Sequence, residues 1–137
     1  MKLSNIHLQY INALHLTTGV IVRDCLIDNE ENIFFLASEK DFPIIIANKG
    51  EKLRQLQKKL NKKIEVYCFK KTPESFLINA FKNIKFKEVK ANKEEITTKV
   101  DIENKKKFLE NQNKLKKIKF ILDKKYGIKS LKVKEEY

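Results

Sequence analysis

Two stretches of this chain match at a constant offset, and that limits the folds open to it more than any other feature. Leu53, Leu56 and Leu60 recur as Leu115, Ile118 and Leu122, each 62 residues later. At the same offset Leu60-Asn61-Lys62-Lys63 faces Leu122-Asp123-Lys124-Lys125, and Ile46 meets Phe108. Any two amphipathic helices can share a leucine spacing, so the tetrapeptide and the order of elements around it carry the weight. In a chain of 137 residues, a repeat of this length leaves room for two very small units and little else.

The order of elements repeats as well. Residues 3–16 place Leu3, Ile6, Tyr10 and Leu14 on one helical face, and Thr17-Thr18-Gly19 closes the helix. Two apolar runs follow, 20–27 and 33–37, with Asp28-Asn29-Glu30-Glu31-Asn32 between them, which reads as a hairpin. Ile44-Ile45-Ile46 leads into Ala47-Asn48-Lys49-Gly50 and a helix with Leu53, Leu56 and Leu60 inward, then a short strand over 64–69. Thr72-Pro73 starts the second round, with proline suited to the first helical position. Ile84 and Phe86 alternate with Lys85 and Lys87, and Ile96, Thr98, Val100 and Ile102 alternate with polar residues, predicting two strands. A helix over 113–126 is closed by Gly127, 130–133 is the last strand, and 134–137 is expected to fray. The fold class is α+β, with units at 1–71 and 72–137.

Hydrophobic residues make up 42% of the chain, enough for a core and against global disorder. No apolar run approaches the ~20 residues needed to span a bilayer, and the first residues lack the apolar segment of a signal peptide. Cys25 and Cys68 are too few for a disulfide framework. These features point to the cytoplasm, with no membrane partner. The formal charge of +12 points to a polyanion. It has a plainer reading too. Of 30 basic residues only Arg23 and Arg54 are arginine, and a coding bias toward A+T raises lysine whatever the function.

Tyr10-Ile11-Asn12, Thr18-Gly19, Arg23-Asp24-Cys25-Leu26-Ile27-Asp28, Ile46-Ala47-Asn48-Lys49-Gly50-Glu51, Lys63-Ile64-Glu65-Val66 and Glu74-Ser75-Phe76-Leu77-Ile78-Asn79 occur in the order and near spacing of one known family. In these residues the chain resembles the archaeal NusA-like transcription factors, which consist of two type II KH domains. The match is good over roughly residues 1–81; beyond it length and pattern agree more than residues do. The resemblance implies two tandem KH domains, each a three-stranded antiparallel or mixed sheet covered by helices. It also implies a part in transcription elongation or termination, through single-stranded nascent RNA and RNA polymerase.

A KH module holds about four nucleotides with a Gly-x-x-Gly turn against the sugar–phosphate backbone. Glycine lets the chain approach closely and take unusual dihedrals, and the helix that starts there favours a phosphate. Here the first turn is Ala47-Asn48-Lys49-Gly50, with only the second glycine kept and with Lys52 and Arg54 close by. These six residues are the RNA-binding candidates; the plainer alternative is a turn kept for packing. Pro43 stands where the family commonly has glycine. The aligned second turn, Leu109-Glu110-Asn111-Gln112, has lost both glycines and set Glu110 where a phosphate would lie, although Lys105-Lys106-Lys107 precede it. The second unit is therefore expected to be a scaffold or a docking face.

No other motif competes. His7 and His15 lie eight apart, not at the i, i+4 spacing of a metal pair. Cys25 and Cys68 read as small buried hydrophobes. Asp24 and Asp28 could share a strand face, but no second catalytic group accompanies them. No P-loop, dinucleotide fingerprint or serine elbow occurs, so no enzyme, cofactor, metal or small-molecule substrate is expected. The rival to an RNA reader is a degenerate KH protein docking on RNA polymerase, or less readily on the ribosome, with RNA contact incidental.

Overall fold

The computed structural model describes residues 4–136 and is an α+β structure that divides between Phe69 and Lys70, two residues before the expected boundary. The Tyr126 hydroxyl accepts a hydrogen bond from the Lys70 amide (3.3 Å) and donates one to the Lys70 carbonyl (2.6 Å), which ties Lys70 to the second unit. Leu3 and Tyr137 lie outside the described residues.

The first unit runs α1 (Asn5–Thr18), β1 (Asp24–Ile27), β2 (Ile33–Ala37), α2 (Phe42–Ile45), α3 (Ala47–Leu60) and β3 (Ile64–Cys68). The second repeats the order as α4 (Pro73–Ala80), β4 (Glu88–Asn92), β5 (Glu95–Val100), α5 (Ile102–Glu110), α6 (Gln112–Tyr126) and β6 (Ser130–Glu135). Each sheet is mixed: β1 pairs antiparallel with β2 and β2 parallel with β3, and β4, β5 and β6 pair in the same way.

Turn chemistry fixes the first hairpin. Asp28 Oδ1 accepts from the amides of Glu30 (2.9 Å) and Asn32 (2.8 Å), and its other oxygen accepts from the Asn32 side chain (2.9 Å). Asp28 is therefore a turn former. On the helix-facing side of the sheet, Cys25, Phe35 and Val66 lie across from one another, as do Ile27, Ile33 and Ile64. Leu14, Ile45 and Leu56 close this core from the helices. Burial, and then the neighbouring Asp24 carboxylate, push the Cys25 thiol up to about 12, so it stays neutral and inert.

Several expectations are corrected. In α1 the buried residues are Ile11, Leu14 and Thr18, whereas Ile6 is exposed. The apolar run 20–27 is strand only from Asp24, although Val20 and Val22 are buried. Residues 84–87 form no strand. Ile84 is buried, Phe86 meets the Phe108 ring edge-on at 5.7 Å, and the Lys85 amide donates to Asn104 Oδ1 at 3.0 Å. That backbone donor is satisfied by a side chain instead of a ladder, and the strand forms later, at Glu88.

Ile102 does not continue β5. Asp101 caps α5 by accepting from the Asn104 amide (2.8 Å), so the chain turns helical and Ile102 is left half exposed. Lys105, Lys106 and Lys107 consequently lie within α5 and not in a loop. The Asn104 amide, and then its side chain, hold the Asp101 carboxyl below the usual carboxylate range. A lowered pKa contributes stability that is complete above the ordinary aspartate value and disappears as pH falls through the folded one. Asp101→Ala should lower Tm at pH 7, and the gap from wild type should close as pH drops below about 4. A gap that stays constant down to pH 2 in thermal melts would rule out this charge-dependent cap.

Candidate nucleic-acid interface

The connection between α2 and the continuous helix at 51–60 carries three successive left-handed residues: Asn48 (φ 56°, ψ 45°), Lys49 (58°, 31°) and Gly50 (74°, 27°). Left-handed backbone costs an ordinary L-residue roughly 1–2 kcal/mol, and asparagine and glycine tolerate it best. Those two types stand first and last, leaving Lys49 as the strained member. Ala47 is not among the positive-φ residues, so the first position of this turn does not require glycine, whereas Gly50 lies in the left-handed region that favours it.

Two contacts hold the turn. The Gly50 amide donates to the Ile46 carbonyl at 2.9 Å, and Arg54 Nη1 donates to the Lys49 carbonyl. Arg54 thus folds back to brace the turn from one helical turn further on. Ala47, Asn48, Lys49, Lys52 and Arg54 are exposed and Gly50 is half-buried, so the six expected residues form one accessible, cationic corner at the start of a helix. Glu51 is the single carboxylate in the stretch 47–54.

Residue patterns did not single out Ile44 and Ile46 as ligand contacts. They are 49% and 40% exposed and flank the turn, while Ile45 between them is fully buried. A run of three isoleucines gives no hint which two face water. Only the single-turn α2, entered through Pro43, decides it. Apolar side chains beside a cationic turn supply what a base and a phosphate respectively need.

The second unit lacks this geometry. The expected turn 109–112 narrows to one non-helical residue, Asn111, whose side chain accepts from the Lys114 amide at 3.1 Å. Leu109 and Glu110 belong to α5 and Gln112 begins α6. Lys105 pairs with Glu135 at 3.4 Å and Lys107 with Glu103 at 4.0 Å. Ile46 and Phe108 do not match in environment: Phe108 is fully buried, as Ile45 is, and Ile46 is exposed.

The offset itself shifts. β2 and β5 begin 62 residues apart, at Ile33 and Glu95, but β3 and β6 begin 66 apart, at Ile64 and Ser130. Four added residues are about one helical turn, and they lengthen α6 relative to the helix 51–60. Both helices end on a left-handed residue, Asn61 and Gly127, which are also 66 apart. Counted on from the preceding strands Leu56 faces Ile118, and counted back from the helix ends it faces Leu122; all three are buried.

No family model and no curated protein matches the sequence. Among solved structures, one described as "Crystal structure of APE1850" superimposes with a TM-score of 0.83. It is 25% identical and covers 96% of this chain and 100% of its own. Among the described residues, no helix is long and apolar enough to cross a membrane.

Proposed function

We propose that this chain is a NusA-like RNA-binding protein of two tandem type II KH domains, contacting single-stranded nascent RNA mainly through the first. The observation that carries this reading is the accessible turn Ala47–Gly50, left-handed from Asn48 to Gly50 and carrying Lys49, set at the start of a helix and bordered by Lys52 and exposed Ile44 and Ile46. Helix–strand–strand–helix–helix–strand order with a mixed sheet, seen twice, supports the KH assignment. In this role the lysines and the helix start hold phosphates, the isoleucines take the faces of bases, and Arg54 keeps the turn in shape. RNA polymerase is the proposed protein partner, and transcription elongation or termination the process. The narrowed connection at Asn111 favours a second reading, in which the protein docks on RNA polymerase and touches RNA only incidentally.

Fluorescence anisotropy with a short single-stranded RNA over a salt series separates the two readings. Asn48→Asp/Lys49→Asp places two carboxylates where phosphates would sit and leaves the core untouched. We expect about a tenfold loss of affinity and a salt slope smaller by about 0.7 for the lost lysine–phosphate contact. Equal binding by both proteins would discard the clamp in favour of docking.

A further inference from the structure

Between Lys2 and Arg23 the chain runs for twenty residues, 3–22, without a Lys, Arg, Asp or Glu. At the 35% charged residues of the whole sequence, about seven of those twenty would carry charge, and a coding bias toward lysine would raise that number. Burial does not account for the gap. α1 fills most of the stretch and buries only Ile11, Leu14 and Thr18. Asn5, Ile6, Leu8, Gln9, Asn12 and Leu16 are exposed. Leu16, at 74%, is the most exposed large apolar side chain among the described residues, and Leu8 is at 51%. Single exposed leucines are ordinary on a protein surface. A helix that meets water with no charge at all is not, in a chain this charged.

Leu8, Asn12 and Leu16 stand four residues apart and so form one ridge along the outer face of α1. The ridge reads the same in both directions about Asn12. Ridges of this spacing interlock with one another in the commonest class of helix packing. Laid antiparallel across a two-fold axis beside Asn12, Leu8 meets Leu16 of a second copy and Leu16 meets Leu8, as a self-complementary contact requires. Asn12 then meets Asn12. A primary amide carries both donors and an acceptor, so the two side chains can pair with each other.

Charge narrows the occupant. A nucleic acid finds no cation on this helix, and an acidic or basic protein finds no counter-charge. What fits is a neutral, apolar surface, and α1 is itself one, with the symmetry to receive its own copy. It is also a place where two chains, each at +12, can touch without setting like charges in contact. We propose that α1 is a self-association face, through which two copies pair with Leu8 against Leu16 and Asn12 on the two-fold axis. A helix of 14 residues is about 21 Å long and about 10 Å wide. The face thus offers on the order of a few hundred Å², below the ~800 Å² per partner of a stable complex, and the dimer is a weak one. None of the residues of the turn at 47–50 takes part.

Sedimentation equilibrium of the full chain from 5 µM to 1 mM, at 50 mM and at 500 mM salt, is the test. The weight-average mass should rise from 16.2 kDa toward twice that value, with a Kd of about 100 µM at the higher salt. Salt should tighten the dimer severalfold, because it screens the repulsion between two cationic bodies and has no ion pair to weaken. Leu8→Lys/Leu16→Lys sets lysines opposite one another and should weaken association at least tenfold. Ile78→Lys/Ile102→Lys makes the same change in net charge at exposed apolar residues of the second unit and should weaken it less than threefold. Leu8→Glu/Leu16→Lys places opposite charges across the pair and should associate better than the double-lysine variant at 50 mM salt. Circular dichroism of each variant establishes that it is folded. A mass of 16.2 kDa throughout at both salts would overturn the proposal. So would association that salt weakens, or equal losses for the α1 and control pairs. A Leu8→Glu/Leu16→Lys variant no better than the double-lysine one would overturn the antiparallel pairing.

Discussion

Phe108→Ala should destabilise the second unit by about 3–5 kcal/mol, the ordinary range for removing a fully buried aromatic. Phe108 is 0% exposed. Its ring stacks on Phe81 at 4.7 Å and meets Phe86 edge-on at 5.7 Å, so truncation also breaks two aromatic pairs, each contributing roughly 0.5–1.5 kcal/mol. The expected loss rivals the whole stability of many small domains, about 5–15 kcal/mol. Hydrogen exchange should then show loss of amide protection across β4, β5 and β6. Phe108→Leu, which keeps most of the apolar contact, should be markedly milder. A change under about 1 kcal/mol for the alanine variant would mean that the three rings do not form the core of that unit.

Phe35→Ala should have a comparable effect in the first unit, again about 3–5 kcal/mol. Phe35 is the middle residue of β2, paired with Cys25 on one side and Val66 on the other, and it is fully buried. Ile45 and Leu56, which anchor the chain just before and after the left-handed turn, belong to the same core. Loosening that core therefore removes the support of the turn as well as stability. We expect lost protection in β1, β2 and β3 together with weakened RNA binding. Intact RNA binding by a first unit shown to be unfolded would contradict the placement of the clamp there.

Much of the fold was legible in the residues because burial and periodicity coincide. The duplication, the hairpin at Asp28–Asn32, the helix closed by Gly127 and the strands around Phe35 and Ile96 all follow from patterns of two or of three to four. The misreadings occur where a single side chain overrides the pattern. Asp101 caps a helix and so ends the alternation that would have made Ile102 a strand residue. Asn104 captures the Lys85 amide and moves the strand from 84–87 to Glu88–Asn92, whose apolar positions, Val89 and Ala91, give little signal.

The candidate site was half legible. Asn48, Lys49 and Gly50 stand out by residue type, but that Arg54 turns back on the Lys49 carbonyl depends on a side-chain path no pattern encodes. A constant offset hid the inserted turn of α6, because all three leucines find apolar partners at 62, whereas at 66 only Leu56 meets a leucine.

The most direct measurement is photocrosslinking of the full chain to a short single-stranded RNA carrying 4-thiouridine, with the modified peptides identified by mass spectrometry. We expect crosslinks within residues 44–54, on the isoleucines and lysines that border the turn, and their loss in Asn48→Asp/Lys49→Asp. Crosslinks that leave residues 44–54 untouched, in a protein that still binds RNA, would contradict the first unit as the RNA clamp.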